Sequence, residues 1–302
     1  MGTPEFAVPS LDILIKNGYN IVGVITSVDK YGGRGMKKLI ESPVKKYAVR
    51  HNIKVLQPKN LKSPEFVEEL QSLKADLQIV VAFRMLPEIV WNMPPLGTYN
   101  LHSSLLPKYR GAAPINWAII KGEKETGVTS FKLQHAIDTG DILFQEKISI
   151  GEDETAGELH DRLMVLGAEV VLKTANAIKQ GNVKLYSQND IEATKAPKIF
   201  TEDCQINWDD TSDNVYNLIK GLSPYPGAWT ILDEKNFKIL KARKEFGQEM
   251  TDAGNIFTDN KKYLKISTND GLINILEVKM QGKKKMDIKS FLNGYKIESN
   301  KL

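Results

Sequence analysis

Cysteine is almost absent from this chain, and its scarcity excludes disulfide-built and cysteine-rich metal-binding folds. Cys204 is the single cysteine in 302 residues, so no internal disulfide can form, and the composition suits a reducing compartment. The histidines are few and scattered, at His51, His102, His135 and His160. Because these residues form no cluster with metal-ligand spacing, we expect no bound metal.

Long apolar runs are also missing. No run approaches the roughly 20 residues that a membrane-spanning helix needs, and no basic segment followed by an apolar one marks a secretory signal. We therefore expect a cytoplasmic protein without a membrane partner. With 41 basic and 37 acidic side chains the net charge is +4, which permits a polyanionic partner without requiring one. Neither GxGxxG nor the P-loop spacing occurs, so the common nucleotide-binding motifs give no support.

The first part of the chain alternates strand signals with helix signals. Short apolar or β-branched runs, among them residues 20–26, 76–83 and 98–103, are separated by segments with helical spacing. The run at 76–83 is almost continuously apolar, as expected of a strand with both faces covered. The alternation predicts an α/β domain over residues 1–180, with a doubly wound, mostly parallel sheet.

The pattern changes after residue 180. Residues 181–203 are polar and have no clear period, and we interpret them as a linker. Residues 204–302 contain a helical segment and then short alternating runs separated by turns, which predicts a smaller domain built as a β-barrel or a β-sandwich. The end of this domain is basic, with seven lysines after residue 278 against Asp287 and Glu298. A nucleic-acid-binding surface and an ordinary solvated surface both fit that pattern.

The stretch NLHSSLLPKYRGAAP, residues 100–114, holds the strongest candidates for chemistry. Asn100 and His102 are two positions apart near the end of a predicted strand, so their side chains share a face. Ligands of open α/β sheets bind beyond the carboxyl ends of the strands, which places this pair in a candidate crevice. A buried Asn and His that satisfy local backbone groups would fit equally well. The SLLP turn offers apolar walls and backbone N–H groups that suit a flat heteroaromatic ligand.

Two loops add further candidates. In HAIDTGDI, residues 135–142, Asp138 is a candidate base or histidine partner, although an Asx turn would also explain it. We interpret its neighbours His135 and Asp141 as structural. The loop SVDKYGGRGMKKL, residues 27–39, carries three glycines and four basic side chains and is long for a strand-to-helix connection. We expect it to close over an anionic partner.

These segments together resemble a known family. NLHSSLLPKYRGAAPINWAI followed by ETGVTSFKLQHAIDTGDIL is similar to the 10-formyltetrahydrofolate-dependent formyltransferases. GTPEFAVPSL, the GGRGMKK loop, KAPKI and GLSPYPGAW narrow the resemblance to members that act on methionyl initiator tRNA. The similarity extends over essentially the whole chain, and it implies a formyltransferase-type Rossmann-like domain followed by a tRNA-binding OB-like domain.

The resemblance also implies a reaction and the residues that perform it. The α-amino group of the methionyl group would attack the formyl carbon of 10-formyltetrahydrofolate, and an oxyanion would form and collapse to release tetrahydrofolate. Asn100 and His102 would stabilise the oxyanion by hydrogen bonding. Asp138 would orient His102, balance its charge and assist proton removal from the amine, through a water molecule.

Two binding sets follow from the same resemblance. The folate co-substrate would be bound by the segments Phe83, Arg84, Leu86 and Ser104, Leu105, Leu106, Pro107, with the backbone near Phe83 to Leu86 against the pterin ring. The acceptor end of the tRNA would be contacted by Arg34, Lys37 and Lys38, while the basic C-terminal domain would hold the tRNA backbone.

The sequence departs from the family pattern at three places. The family begins with a strand before the MGTPEFA-like segment, whereas this sequence opens with that segment, so we expect a truncated chain or a misassigned start, with a cost in stability. Arg84 stands where a glycine is common, and because that position contributes backbone, we expect folate binding to persist. Tyr31 and Gly32 replace a common Pro-Ala pair, which should loosen the loop without removing its charge.

Several alternatives remain open at this point. A formyltransferase for an amino-sugar nucleotide or a purine-pathway amine would share Asn100, His102 and Asp138, and only the basic loop and C-terminal domain favour tRNA. A non-catalytic RNA-binding protein would bind tRNA without transferring a formyl group. Hydrolysis of the formyl group by water would use the same three residues. We expect a monomer, because no exposed apolar stripe is evident.

Overall fold

The computed structural model describes residues 1–32, 35, 37–245 and 252–302. It divides into two compact units. The first unit consists of Met1–Gly111, Thr126–Ile148 and His160–Lys195, and the second of Ala112–Glu125, Ser149–Leu159 and Ala196–Leu302. The predicted domain boundaries at residues 180 and 203 stay a prediction. They divide the chain into consecutive domains, whereas each compact unit is built from three separate segments.

Helices begin where the sequence supplies caps. Their bounds are α1 (Val8–Lys16), α2 (Pro43–Arg50), α3 (Pro64–Ser72), α4 (Glu88–Trp91), α5 (Pro114–Ile120), α6 (Ala156–Lys179), α7 (Ser212–Leu222) and α8 (Ile288–Asn293). Ser42 and Ser63 cap α2 and α3 by accepting backbone N–H groups, with proline at the first turn. At α6, Thr155 and Glu158 form a reciprocal capping box, in which Glu158 Oε2 accepts the Thr155 N–H at 2.9 Å. No helix of the described residues is both long and apolar enough to cross a membrane.

Most strands of the first part of the chain are short. The strands are β1 (Val24–Ile25), β2 (Lys30–Gly32), β3 (Lys38–Ile40), β4 (Val55–Leu56), β5 (Gln78–Val81), β6 (Thr98–His102), β7 (Arg110–Gly111), β8 (Glu125–Lys132) and β9 (Ile142–Ser149). The longest are β8 and β9, with eight residues each. The main sheet has the order β5-β6-β8-β9, with β5 and β6 parallel and β8 antiparallel to β6. A second parallel pair, β1 with β4, lies beside it.

Met1 and Gly2 join the two parallel groups. Gly2 forms a parallel bridge with Val81 of β5, and its N–H donates to the carbonyl of Ile25 at 3.0 Å. The strand predicted at 20–26 is therefore paired only at Val24–Ile25, where β4 and Gly2 supply partners. The predicted α/β class is confirmed: the parallel pairs β1–β4 and β5–β6 lie on either side of Gly2, and β8 runs antiparallel to β6.

Helix α6 supports the strand that carries the candidate residues. A Cβ atom at Gly167 would lie 2.6 Å from the Cδ2 of Leu101, so glycine lets the helix approach β6 closely. Thr174 Oγ1 donates to the buried hydroxyl of Ser130 on β8 at 2.7 Å. These contacts hold β6 and β8 against α6, so the candidate residues lie on packed secondary structure.

The second unit is built on one antiparallel sheet. Its strands are β11 (Ala228–Leu232), β12 (Lys235–Glu245), β13 (Ile256–Thr258), β14 (Leu264–Ser267), β15 (Leu272–Met280) and β16 (Met286–Asp287), after the short β10 (Lys195–Ala196). The order is β11-β12-β15-β14-β13, with β16 on β15. Helices α7 and α8 cover its apolar face, where Ile219, Phe237, Ile273 and Phe291 are buried together. The predicted small β-domain is confirmed as a curled half-barrel.

Candidate active site

Strand β6 places Asn100 and His102 in the middle of the main sheet. It lies between β5 and β8, and Asn100 is paired with Val80 on one side and Phe131 on the other. The strand ends at His102, one residue before the predicted end at residue 103, and alternate residues of a strand point to the same face. Asn100 is half-buried, and its side chain makes no hydrogen bond to another described residue. Its amide is therefore available to a ligand.

The two ring nitrogens of His102 face different partners. The residue is only 6% exposed. Its Nε2 lies 2.8 Å from the carbonyl oxygen of Tyr109, and because a carbonyl only accepts, Nε2 carries the hydrogen and donates. Its Nδ1 lies 3.7 Å from Oδ2 of Asp138. That separation is longer than a hydrogen bond, and it places the carboxylate oxygen beside the imidazole ring.

Asp138 reaches this histidine from the loop between β8 and β9. Its backbone is in the left-handed region, with φ 55°, and the residue is 8% exposed. Its Oδ2 accepts the N–H of Gly111 at 2.9 Å. The carboxylate thus accepts a hydrogen bond from a distant part of the chain. In an Asx turn it would accept one from the backbone of its own loop. The neighbouring His135 lies outside this cluster, with a side chain 77% exposed and its ring edge-on to Trp91.

The SLLP turn is held by two side chains of the neighbouring strands. Thr129 Oγ1 donates to the carbonyl of Ser104 at 2.6 Å and accepts the N–H of Leu106 at 3.2 Å. Gln145 Nε2 donates to the carbonyl of Leu106 at 2.9 Å. Ser104 and Leu106 are buried, whereas Leu105 and Pro107 are half-buried. Leu105 and Pro107 are therefore the members of this set that a ligand can reach most easily.

The loop after β5 leaves its backbone unpaired. Residues 83–86 make no backbone hydrogen bond to another described residue. Leu86 is buried in the core, and half-buried Phe83 packs against that core. Arg84 is exposed, and its guanidinium donates to the carbonyls of Pro58 and Lys59. The Arg84 side chain thus connects this loop to the backbone of residues 58–59. The unpaired backbone groups of residues 83–86 remain available to the edge of a heteroaromatic ring.

The basic loop forms a hairpin on a polar root. Strands β2 and β3 pair antiparallel, and Lys37 and Lys38 are exposed. Arg34, predicted to contact tRNA, lies outside the described residues. At the root, Asp29 pairs with Lys45, and the Lys45 hydrogen bond lowers the pKa of Asp29 and raises that of Lys45. Gln57 Nε2 adds a hydrogen bond to Asp29 at 2.8 Å.

The seven lysines near the end of the chain all lie on the surface. Each is exposed: Lys279, Lys283, Lys284, Lys285, Lys289, Lys296 and Lys301. Two of them pair with acidic side chains, Lys285 with Glu277 at 2.6 Å and Lys301 with Asp252 at 3.6 Å. The structure thus provides an exposed cationic surface on the second unit.

Sequence reasoning missed the residues that hold His102 and Asp138 in place. Tyr109 and Gly111 offer backbone groups, so no side-chain signal marks them, although both lie in the KYRG segment that follows SLLP. Thr129 and Gln145 are polar residues in strands, and only their position beside the turn gives them a role.

Comparison with known proteins decides the family. The sequence pattern described as formyl transferase matches residues 1–175, and the one described as formyl transferase, C-terminal domain, matches residues 198–296. The chain belongs to the formyl transferase family. Asn100, His102 and Asp138 thus all lie in the part of this formyl transferase that matches the first pattern.

Proteins of similar length are about half identical to this formyl transferase. The methionyl-tRNA formyltransferase of Azobacteroides pseudotrichonymphae genomovar. CFP2 is 52% identical over 305 residues, covering 97% of this chain and 94% of that protein. The methionyl-tRNA formyltransferase of Flavobacterium johnsoniae is 51% identical, covering 97% and 94%. That of Bacteroides thetaiotaomicron is 49% identical, covering 98% and 95%.

Solved structures share the fold at lower identity. A sugar 3N-formyl transferase crystallised in the presence of dTDP and 5-N-formyl-THF is 24% identical, with a TM-score of 0.68 over 94% of this chain and 97% of that one. An N-formyltransferase from Helicobacter canadensis, in complex with folinic acid and dTDP-3-aminofucose, is 24% identical with a TM-score of 0.68, over 91% and 96%. At this identity the likeness concerns the fold.

Proposed function

We propose that this formyl transferase moves a formyl group from 10-formyltetrahydrofolate to the α-amino group of methionyl initiator tRNA. The product, N-formylmethionyl-tRNA, serves translation initiation. The observation that carries the proposal is the identity of about half of all positions, over nearly the full length, with proteins named methionyl-tRNA formyltransferase. The convergence of Asn100, His102 and Asp138 at one strand end supports it chemically.

The chemistry requires donors for a developing oxyanion. When the amine attacks the formyl carbon, negative charge grows on the formyl oxygen. The Asn100 amide, which makes no hydrogen bond to another described residue, donates to that oxygen. One such preorganised donor typically contributes about 3 kcal/mol of barrier reduction.

His102 acts from its Nδ1 side. Its Nε2 donates to the Tyr109 carbonyl, which fixes the ring plane, so Nδ1 is the nitrogen that faces the reacting group. An imidazolium donates from both nitrogens at once, and the carboxylate of Asp138 beside Nδ1 balances its charge. The carboxylate of Asp138 takes a proton from the amine through a water molecule, and that proton is returned to N10 of the folate as the bond from N10 to the formyl carbon breaks and tetrahydrofolate leaves.

The folate co-substrate is bound by two loops that flank the strand end. The unpaired backbone of residues 83–86 contacts the pterin ring, and the half-buried Leu105 and Pro107 provide the apolar wall. Buried Ser104, Leu106 and Leu86 act by shaping these loops. Arg84, by bonding to the 58–59 backbone, keeps the first loop in place without occupying the ring site.

The tRNA is bound by cations of both units. Lys37 and Lys38 contact the acceptor end from the hairpin, Arg34 contacts it as a third cation of the same sequence segment, and the lysines of the second unit contact the phosphate backbone. The protein is proposed to act in the cytoplasm as a monomer, without a metal ion.

Formyl transfer to an amino-sugar nucleotide is the second candidate. The solved structures with sugar substrates favour it by fold, whereas the relatives at about half identity favour tRNA. A non-catalytic RNA-binding protein and a formyl hydrolase are further alternatives that the same assay separates.

The test is transfer of labelled formyl from 10-formyltetrahydrofolate to methionyl initiator tRNA. Parallel reactions contain a UDP-amino sugar, or no acceptor. Label on the tRNA alone is the expected result. Label on the sugar alone overturns the proposed acceptor, release of formate without acceptor indicates hydrolysis, and tRNA binding without transfer indicates the non-catalytic alternative.

A further inference from the structure

Gln188 lies in the predicted linker but bonds directly to the loop that carries Asp138. Its Nε2 donates to the carbonyl of Asp138 at 2.9 Å and to the carbonyl of Gly140 at 2.8 Å. Its Oε1 accepts from Nε and Nη2 of Arg110, at 3.1 and 2.7 Å. The two donors and two acceptor positions of the amide are therefore all used.

The orientation of this amide is fixed by chemistry. A guanidinium only donates and a carbonyl only accepts, so the oxygen must face Arg110 and the nitrogen must face the loop. Arg110 is held in turn by Asp190 at 2.7 Å, and its own backbone N–H donates to the carbonyl of Thr194 at 2.9 Å. The Gln188 side chain thus connects Arg110 to the Asp138 loop by hydrogen bonds on both sides.

Arg110 lies at the centre of the contacts that hold His102 and Asp138. The residue before it, Tyr109, accepts from His102 Nε2, and the residue after it, Gly111, donates to Asp138 Oδ2. Through Gln188, the side chain of Arg110 also holds the backbone of Asp138. A three-residue segment therefore fixes the histidine ring, the carboxylate and the main chain beneath that carboxylate.

The Asp138 loop has reason to need such support. Its φ of 55° is unfavourable for a residue with a side chain. Gly140 is packed so tightly that an added Cβ would lie 1.7 Å from the carbonyl oxygen of Lys132. The two carbonyls that Gln188 binds belong to these two residues, so its amide stabilises the conformation that turns the carboxylate toward His102.

We propose that Gln188 is a positioning residue for formyl transfer, and that Arg110 orients it. This inference rests on the proposed role of Asp138. It assigns a function to a residue that touches neither substrate nor the reacting atoms. Its effect should fall on kcat, because misplacement of a reacting group by about 1 Å can cost on the order of a hundredfold in rate.

The test is steady-state kinetics of Gln188→Glu with methionyl initiator tRNA and 10-formyltetrahydrofolate. Glutamate has the same shape and keeps an oxygen for Arg110, but it turns a carboxylate oxygen toward two carbonyls. We expect kcat to fall by about tenfold or more, with both KM values within about twofold of wild type. Gln71→Glu, the same change at an exposed position on α3, should leave both parameters unchanged.

Three results would overturn the inference: an unchanged kcat, a change confined to KM, or a loss of kcat that matches only a loss of folded protein. If Gln188→Glu does not fold, Gln188→Ala is measured in its place, with a smaller loss of kcat expected. Asp138→Asn, assayed alongside, separates failure of the proposed role of Asp138 from failure of the positioning inference about Gln188. If it keeps wild-type kcat, the proposed role of Asp138 fails; if it is impaired while the Gln188 variant is normal, only the positioning inference fails.

Discussion

At the scale of single residues, the site depends on which neighbour each polar atom has. His102 and Asn100 share a face of β6, yet their surroundings differ. The His102 ring is held between a carbonyl and a carboxylate, whereas the Asn100 amide has no protein partner among the described residues. The protein therefore positions the His102 ring, whereas the hydrogen-bond partner of the Asn100 amide is supplied by the ligand.

Replacement of His102 should separate chemistry from binding. We expect His102→Ala to lower kcat by at least about a hundredfold, because an oxyanion donor is lost, while the Kd for 10-formyltetrahydrofolate stays within about twofold. Single-turnover transfer and fluorescence titration measure the two quantities. His135→Ala is the matched control, since that ring is exposed and contacts Glu88 and Trp91 rather than His102 or Asp138. Turnover of His102→Ala near the wild-type rate would contradict the mechanism.

At the scale of secondary-structure elements, caps and hairpin roots decide where the functional loops start. Ser42 ends the basic loop and begins α2, and its hydroxyl is bonded both to the Lys45 N–H at 3.0 Å and to buried Thr26 Oγ1 at 2.8 Å. Ser63 begins α3 with a single cap bond of 3.4 Å. The two serines have the same local sequence pattern but different amounts of buried hydrogen bonding.

The two caps should therefore differ in their contribution to stability. We expect Ser42→Ala to lower the free energy of unfolding by about 2 kcal/mol, because a cap bond is lost and a buried hydroxyl loses its partner. Ser63→Ala should cost about 0.5–1 kcal/mol. Urea denaturation of the two variants measures the difference, and equal losses would show that the buried Thr26 bond contributes nothing.

The root of the basic hairpin should respond to acid. The pKa of Asp29 is lowered in the folded chain by the hydrogen bond from Lys45, so the ionised carboxylate favours folding. Its contribution is complete above the ordinary pKa of 3.8 and is lost as the pH falls below that value. We expect the difference in Tm between wild type and Asp29→Asn to shrink between about pH 6 and about pH 3.

The control for this prediction is Asp76→Asn, which alters an exposed carboxyl on the same unit. Its Tm difference from wild type should be small and should not follow pH in the same way. A constant difference for Asp29→Asn across the range would mean that the pairing with Lys45 does not stabilise the hairpin.

At the scale of the whole molecule, charge distribution matters more than net charge. The net charge of +4 is modest, but lysines are concentrated on the hairpin and at the end of the second unit. Binding of tRNA through such groups releases counterions, so its affinity falls steeply with salt. The slope of that dependence reports how many phosphates are contacted.

Removal of the hairpin lysines should lower this slope. We expect the combined change Lys37→Ala and Lys38→Ala to reduce the slope of log affinity against log salt by about 1–2, without altering folate affinity. Filter binding of methionyl initiator tRNA at several salt concentrations measures it. Lys62→Ala, at an exposed position on the same unit, is the control. An unchanged slope in the double variant would place the tRNA elsewhere.

Much of the fold follows from local pattern. The alternation of strand and helix signals predicts the α/β domain, which the structure confirms, and the run at 98–103 corresponds to the strand Thr98–His102. The strand at 20–26 was overestimated, because the periodicity of a strand does not reveal whether partners exist along its whole length. Pairing supplied by Gly2 and β4 limits it to Val24–Ile25.

Residue patterns were enough to predict the α/β order, the small β-domain and three candidate residues, Asn100, His102 and Asp138. The contacts that hold these three side chains depend on the fold. Asp138 and Gly111 are 27 positions apart, and Asp138 and Gln188 are 50 apart. Local periodicity carries no information about such contacts, because they depend on strand order and on loop conformation. Gln188 gave no signal in a polar segment, since its role comes from the two carbonyls and the arginine that the fold brings to it.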